Sequence, residues 1–123
     1  MQRPITPALH SALDYASAAV TAAAPRFFDM PRTASRACQA FVATYTPMAA
    51  LSDTPGAVHR AIPFRTHGAI DKALIVALPA LPWMLGFASH RASRNYFLAL
   101  GAVTLLVTAL TDWDAPRREG RAA

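Results

Sequence analysis

Charged residues are scarce in this sequence. Asp, Glu, Lys and Arg make up 15% of its 123 residues, against about 25% in a typical soluble domain. They gather in short clusters that separate long apolar stretches, and apolar residues account for 54% of the chain. Ionised groups are costly in hydrocarbon and collect at its edges. The distribution therefore favours an integral membrane protein over a soluble one.

Several features of well-known functional classes are also missing. A single cysteine, Cys38, excludes an internal disulfide and a thiolate metal cluster, and its apolar surroundings in the sequence predict a buried, unreactive thiol. The net charge of +5 comes from short basic clusters rather than a continuous stripe, so nucleic-acid binding is not expected. There is no Gly-rich phosphate loop, nucleophile elbow or two-histidine zinc motif. We therefore expect no cofactor and no enzymatic activity.

The most informative pattern that is present is an internal repeat. His10 to Asp14 matches His67 to Asp71, and a proline follows each histidine fifteen residues later, at Pro25 and Pro82. Two later landmarks agree in the same order, with a spacing between copies that drifts from 57 to 59 residues: Ala34-Ser35-Arg36 with Ala92-Ser93-Arg94, and Ala50-Leu51-Ser52-Asp53 with Ala109-Leu110-Thr111-Asp112. The chain therefore contains a tandem duplication.

Each copy contains two apolar segments that are long enough to be helices. A membrane span needs about 20 residues at a rise of about 1.5 Å per residue. We predict an all-α fold with four transmembrane helices, formed by duplication of a two-helix hairpin. The predicted parts are a first hairpin (1–53), a linker (54–66), a second hairpin (67–112) and a basic tail (113–123); the helical segments are 8–28, 36–51, 67–87 and 93–110.

A soluble four-helix bundle is the competing interpretation. Each of its helices would need a polar face, and the stretches Ala73–Leu85 and Tyr96–Val107 have none. With two spans in each copy, both termini and the linker should lie on one side of the membrane, and the hairpins should be related by an axis along the membrane normal. A small excess of Lys and Arg on that side predicts that it is cytoplasmic.

A polar cluster is predicted on the side of the termini. Each histidine precedes an aspartate by four residues, so each pair shares one helix face, and two further aspartates end the return helices at a similar depth. The candidate residues are His10, Asp14, Asp53, His67, Asp71 and Asp112. Haem is disfavoured because the histidines lie near a membrane edge.

Two hypotheses can explain this cluster. Intramembrane ionisable groups often mark a cation or proton site, and imidazole with carboxylate suits zinc or manganese. Alternatively, the groups are structural: they satisfy free N–H groups at helix starts and fix the register of the hairpins. Thr66 resembles an N-cap immediately before His67. The sequence favours the structural hypothesis, because no recognised metal motif accompanies the ligand types.

The proline-containing landmarks resemble the SPW repeat family of small bacterial membrane proteins. The second copy contains Leu81-Pro82-Trp83, followed by Gly86-Phe87, where the family has a Ser-Pro-Trp motif and a Gly-Phe-like ending. The first copy keeps a proline and aromatic residues in Pro25-Arg26-Phe27-Phe28. The resemblance implies a multi-pass protein of the bacterial inner membrane. It brings no defined activity and no functional residues.

The functional prediction from the sequence is an accessory or structural subunit that packs against a larger membrane complex. Its expected partners are the lipid bilayer and other membrane protein subunits, because alanine-rich helices allow close helix–helix contact. The alternative is a small cation or proton transporter that uses the His/Asp cluster.

Overall fold

Four helices form the described part of the protein. The computed structural model describes residues 2–116 and contains, in chain order, α1 (Pro7–Phe27), α2 (Arg32–Leu51), α3 (Phe64–Met84) and α4 (Arg91–Leu110). Within that range there is no β-strand. The predicted all-α class with four helices is confirmed. Of the predicted basic tail, residues 117–123 lie outside the described residues.

The starts of α1 and α3 follow from local sequence. The hydroxyl of Thr6 caps α1 by accepting a hydrogen bond from the backbone N–H of Leu9, and a proline occupies the first helical position, where no N–H is needed. Helix α3 begins directly after Pro63, whose carbonyl accepts from the N–H groups of Thr66 and His67. The helix therefore starts three residues earlier than predicted. Thr66 lies inside it, and its prediction as an N-cap was wrong.

The duplication is exact at the level of helices. Helices α1 and α3 have 21 residues each and are offset by 57 positions; α2 and α4 have 20 residues each and are offset by 59. The two additional residues fall in the second hairpin connector, which spans 85–90 where the first spans 28–31. Asp29 and Gly86 occupy equivalent positions in these connectors and both have positive φ, 49° and 80°. Glycine and aspartate are among the residues that tolerate this conformation.

The two copies are joined crosswise at one end of the bundle. Ile5, before α1, pairs with Thr111, after α4; Ile62, before α3, pairs with Ser52, after α2. These bridges are equivalent under the duplication. They place the start of α1, the end of α2, the start of α3 and the end of α4 together, at what we call the terminal end. The hairpin connectors form the opposite end, the connector end.

The interior of the bundle is divided between apolar and polar side chains. Toward the connector end it is filled by an apolar core that includes Cys38, Leu78, Phe87 and Phe97, all at most 3% exposed. The prediction that Cys38 is buried is confirmed. Toward the terminal end the buried side chains are polar: His10, Asp14, Ser52, His67, Asp71 and Thr111.

Large apolar side chains also cover much of the outer surface of the helices. Val76 and Met84 are 73% exposed, and many other large apolar side chains on the helices also point outward. In α1 the outward positions are mainly Ala and Val, while its His and Asp face inward. By length and composition, one helix of the described chain, α4, could cross a membrane, and only 28% of its apolar window is buried inside the bundle. That four helices cross a membrane remains a prediction.

Candidate metal centre

Four side chains from the two copies converge at the terminal end. His10 and Asp14 lie one turn apart on the inner face of α1, and His67 and Asp71 occupy the equivalent places on α3. All four are buried, with at most 5% of each residue exposed. One ligand atom from each lies within 4.8 Å of all the others. The (i, i+4) spacing places each pair on one helix face, and side-chain contacts between α1 and α3 at the terminal end join the two pairs.

The separations between these ligand atoms are short and nearly equal. The two Nε2 atoms of His10 and His67 are 3.2 Å apart. Asp71 Oδ2 lies 3.1 Å from the Nε2 atom of His10 and 3.3 Å from that of His67. Asp14 approaches the same two nitrogens, at 3.3 Å through Oδ1 and 3.2 Å through Oδ2. Both imidazoles therefore direct Nε2 to the point where both carboxylates converge.

The other ring nitrogen of each histidine contacts a hydroxyl from the opposite copy. His10 Nδ1 lies 2.8 Å from Thr111 Oγ1, and His67 Nδ1 lies 2.6 Å from Ser52 Oγ. Each hydroxyl donates its own proton to a backbone carbonyl one turn earlier in its helix. Because that proton is already used, the hydroxyl accepts a hydrogen bond from Nδ1–H of the imidazole. A neutral histidine in this position therefore carries its proton on Nδ1 and presents the lone pair of Nε2 to the centre.

A tyrosine hydroxyl is shared by the two carboxylates of the centre. The phenolic hydroxyl of Tyr45, on α2, lies 2.7 Å from Asp71 Oδ1 and 3.0 Å from Asp14 Oδ1. With Oδ1 of each carboxylate held in this way, Asp71 directs Oδ2 toward both imidazoles, and Asp14 directs Oδ2 toward His67 and Oδ1 toward His10. Tyr45 is itself buried and stacks on Phe41, with the ring centroids 4.8 Å apart. Its orientation is therefore fixed by packing.

The two carboxylates of the centre are hydrogen-bond acceptors that lack a Lys or Arg partner among the described residues. Within residues 2–116 the ion-pair partners of Asp14 and Asp71 are the two histidines alone, and neither carboxylate pairs with Lys or Arg. Asp14 Oδ2 is buried and forms no hydrogen bond in that part of the chain. Buried carboxylates need a compensating charge, and lone pairs directed at one another need a proton or a cation between them. The arrangement therefore requires positive charge at its middle.

Several of these distances are those of a tetrahedral ligand shell. With metal–nitrogen and metal–oxygen bonds of about 2.0–2.1 Å, the edges of a tetrahedron are about 3.3 Å long. The two imidazole nitrogens, Asp71 Oδ2 and either oxygen of Asp14 share four edges of this length, from 3.1 to 3.3 Å. Metal-bound histidines usually donate their other ring N–H to a neighbouring acceptor, and ligating carboxylates are also hydrogen-bonded. Thr111, Ser52 and Tyr45 provide these interactions here.

The structure brings together four of the six residues of the predicted polar cluster. His10, Asp14, His67 and Asp71 come together as expected. Asp53 instead lies near the surface and pairs with Arg60 at 3.6 Å. Asp112 is buried in the segment after α4, where its N–H donates to the carbonyl of Ile5, before α1. In each copy the hydroxyl residue one position earlier, Ser52 or Thr111, contacts a histidine of the cluster.

Tyr45 was missed entirely. The equivalent position of the second copy, 59 residues later, is Thr104, so the tyrosine is not part of the repeated pattern. Its position seven residues, or about two helical turns, before Ser52 at the end of α2 was the one signal that could have placed it on the inner face of that helix.

An aromatic cover closes the centre at the terminal end. The indole of Trp113 packs against the His10 imidazole, with centroids 5.0 Å apart, and against the ring of Phe64 at 4.6 Å. Gly68 allows this arrangement, because a Cβ atom at that position would lie 3.0–3.2 Å from the indole. Arg65 and Asp114 form an ion pair that ties the same segment to α3. The four side chains of the candidate centre are therefore shielded from water on this side.

Comparison with protein-family models, curated proteins and solved structures gave no significant match for the chain. The resemblance to the SPW repeat family stays a prediction. The geometry of the buried centre and the polarity of the surface are therefore the features that bear on function.

Proposed function

We propose that this chain is a helical membrane protein that binds one divalent transition-metal ion, with zinc the best fit, through His10, Asp14, His67 and Asp71. The observation that carries the proposal is the convergence of two Nε2 lone pairs and two carboxylates at 3.1–3.3 Å, with no Lys or Arg paired to either carboxylate in residues 2–116. Imidazole and carboxylate are usual ligands of zinc.

A site for protons alone is less well supported. Two protonated imidazoles would place N–H donors 3.2 Å apart and facing each other, which is repulsive. One proton between the nitrogens would satisfy them, but it would leave the two carboxylates sharing one phenolic proton from Tyr45. A divalent ion compensates both carboxylates and uses both nitrogen lone pairs at once. The purely structural hypothesis also loses the support of Thr66, which is not an N-cap.

The membrane part of the proposal is supported by the apolar side chains on the outer surface of the bundle and by the polar interior at its terminal end. In water, helices bury apolar faces and expose polar ones. Here the buried face of α1 holds His10, Ser11 and Asp14, while Val20 is 59% exposed. In α4, Leu105 and Leu106 are exposed and Ser93 is buried. Ionisable residues of membrane helices face the bundle interior in this way.

Metal content tests the proposal directly. We expect the protein, extracted in mild detergent and stripped with chelator, to take up one Zn²⁺ or Co²⁺ per chain. His67→Gln and Asp71→Asn should each lower the affinity strongly, because each removes one ligand of four. Matched controls are His59→Gln and Asp53→Asn, which change the same residue types at sites away from the cluster.

The outcomes separate the two parts of the proposal. Equal metal binding by wild type and by Asp71→Asn would refute the metal centre, provided that circular dichroism shows an intact helical fold. A monodisperse protein in buffer without detergent would refute membrane insertion, whatever its metal content. Packing against a larger membrane complex, and transport of the bound ion, stay predictions.

A further inference from the structure

The four side chains of the candidate metal centre and their hydrogen-bond partners come in equivalent pairs, with one exception. The histidines, the aspartates and the hydroxyls that contact the imidazoles are each contributed by both copies, whereas the Tyr45 phenol is contributed by the first copy alone. The equivalent position in the second copy is Thr104. One turn earlier, Leu100 stands where the first copy has Phe41. The second copy therefore fills less of the interior beside the centre.

A small cavity lies beside these smaller side chains. Its volume is about 20 Å³, and Leu100 and Thr104 line it together with Asp14, Tyr45 and Asp71. A cavity needs about 10–15 Å³ to hold one water molecule, and a buried water needs two to four polar partners. The volume of this cavity is therefore that of a site for a single water.

The polar residues of the cavity wall include acceptors for the protons of a water molecule. The ionised carboxylates of Asp14 and Asp71 have no proton to donate. Thr104 already donates its proton to the carbonyl of Leu100 at 2.8 Å, so its oxygen is free only to accept. Three residues of the wall thus supply acceptors, which is within the number of partners that a buried water uses.

The carboxylates of the centre also need a second donor. Tyr45 has one phenolic proton, and Oδ1 of Asp14 and Oδ1 of Asp71 share it, at 3.0 and 2.7 Å. A metal ion bound through one oxygen of each carboxylate leaves two further oxygens that depend on this single proton. Asp14 Oδ2 is buried and forms no hydrogen bond within residues 2–116. Since ligating carboxylates are usually hydrogen-bonded, Asp14 is the residue that lacks a donor.

We propose that one ordered water molecule occupies this cavity and donates a hydrogen bond to the carboxylate of Asp14. The water supplies the hydrogen bond that a tyrosine at position 104 would otherwise give, and it orients a metal ligand without binding the ion itself. The place of the water is inferred from the cavity and its wall alone. Its effect on metal affinity rests on the proposed metal centre.

Two substitutions that differ by one oxygen atom test the effect on affinity. Thr104→Tyr and Thr104→Phe both fill the cavity, but only the tyrosine brings a hydroxyl in place of the water. We expect Thr104→Phe to bind Zn²⁺ about 10–100-fold more weakly than Thr104→Tyr, because loss of a partner that orients a metal ligand typically costs this factor. The cost of fitting a larger ring is common to both variants and cancels in the comparison. Equal affinities in chelator competition would overturn the proposed role of the water.

A second measurement does not depend on the metal. In a crystal structure of the chelator-stripped protein, at a resolution that shows ordered waters, we expect one solvent peak in the cavity within about 3 Å of an Asp14 carboxylate oxygen. The peak should be absent from Thr104→Tyr, with the phenolic oxygen in its place. A wild-type cavity without the peak would refute the water site. If Zn²⁺ fails to bind, the proposed function fails, and the presence or absence of this peak still decides the water site.

Discussion

Removal of one hydroxyl group, in Tyr45→Phe, should weaken metal binding while leaving the helical bundle intact. The phenol is the shared partner of both carboxylates, at 2.7 and 3.0 Å, and it touches neither imidazole through a hydrogen bond in the described chain. Phenylalanine keeps the stacking on Phe41 and the volume of the ring. The substitution therefore removes the orientation of the two aspartates and little else.

The expected magnitude follows from these contacts. A hydrogen bond to a charged group contributes about 1.5–3 kcal/mol, and loss of a partner that orients a metal ligand typically costs about 10–100-fold in affinity. Since a tenfold change corresponds to about 1.4 kcal/mol, the two ranges overlap. Both aspartates lose the same partner at once, so we expect a loss of about 10–100-fold in Zn²⁺ affinity.

Competition against a chelator of known affinity measures this change. Tyr96→Phe is the matched control, because it removes a phenolic hydroxyl that bonds Thr21 at 2.6 Å, away from the metal ligands. Wild type and Tyr96→Phe should bind equally. An unchanged affinity in Tyr45→Phe would refute the assignment of Tyr45 as the residue that positions the carboxylates. A similar loss in both variants would show that the effect arises from general destabilisation.

Two further predictions concern the duplication and the packing of the helices. Ser52→Ala and Thr111→Val should each lower metal affinity by about tenfold, and by similar factors, because the two hydroxyls accept equivalent Nδ1–H bonds; Thr44→Val, which removes an exposed hydroxyl bonded to its own helix, should have no effect in the same chelator assay. Gly101→Ala should destabilise the protein by about 1–3 kcal/mol, since the added Cβ would lie 2.5 Å from the ring of Pro79. Thermal denaturation in detergent should show a smaller loss for Gly56→Ala, where the obstructing atom is a movable serine hydroxyl, and equal losses would contradict this explanation.

Local patterns in the sequence were sufficient to predict the four helices. Apolar runs, prolines and repeated landmarks predicted four helices in two hairpins, and the observed boundaries differ from those predictions by up to four residues. The largest difference is at the start of α2, which begins at Arg32 instead of residue 36. Arg32 was assigned to the connector because it is charged. Its side chain points outward, so the helical hydrogen bonds extend through this segment.

Within the candidate metal centre, local spacing determined which residues of one helix lie together. His10 with Asp14 and His67 with Asp71 share a helix face wherever an α-helix forms, since four residues complete about one turn. Which return-helix residue meets each histidine was not determined in this way. Neighbouring positions differ by about 100° around a helix, so a change of one residue at a helix end separates Ser52, which contacts the cluster, from Asp53, which does not.

The sequence by itself determined that the chain is duplicated, that it is helical, and that each copy presents one histidine and one aspartate on the same face. Only the tertiary structure decided that α1 and α3 bring these faces together, that Tyr45 spans both carboxylates, and that each histidine takes its hydroxyl partner from the other copy. The physical reason is that helical periodicity is a property of neighbouring residues. Contacts across 57 or 101 positions of the chain depend on how side chains of different helices fit together.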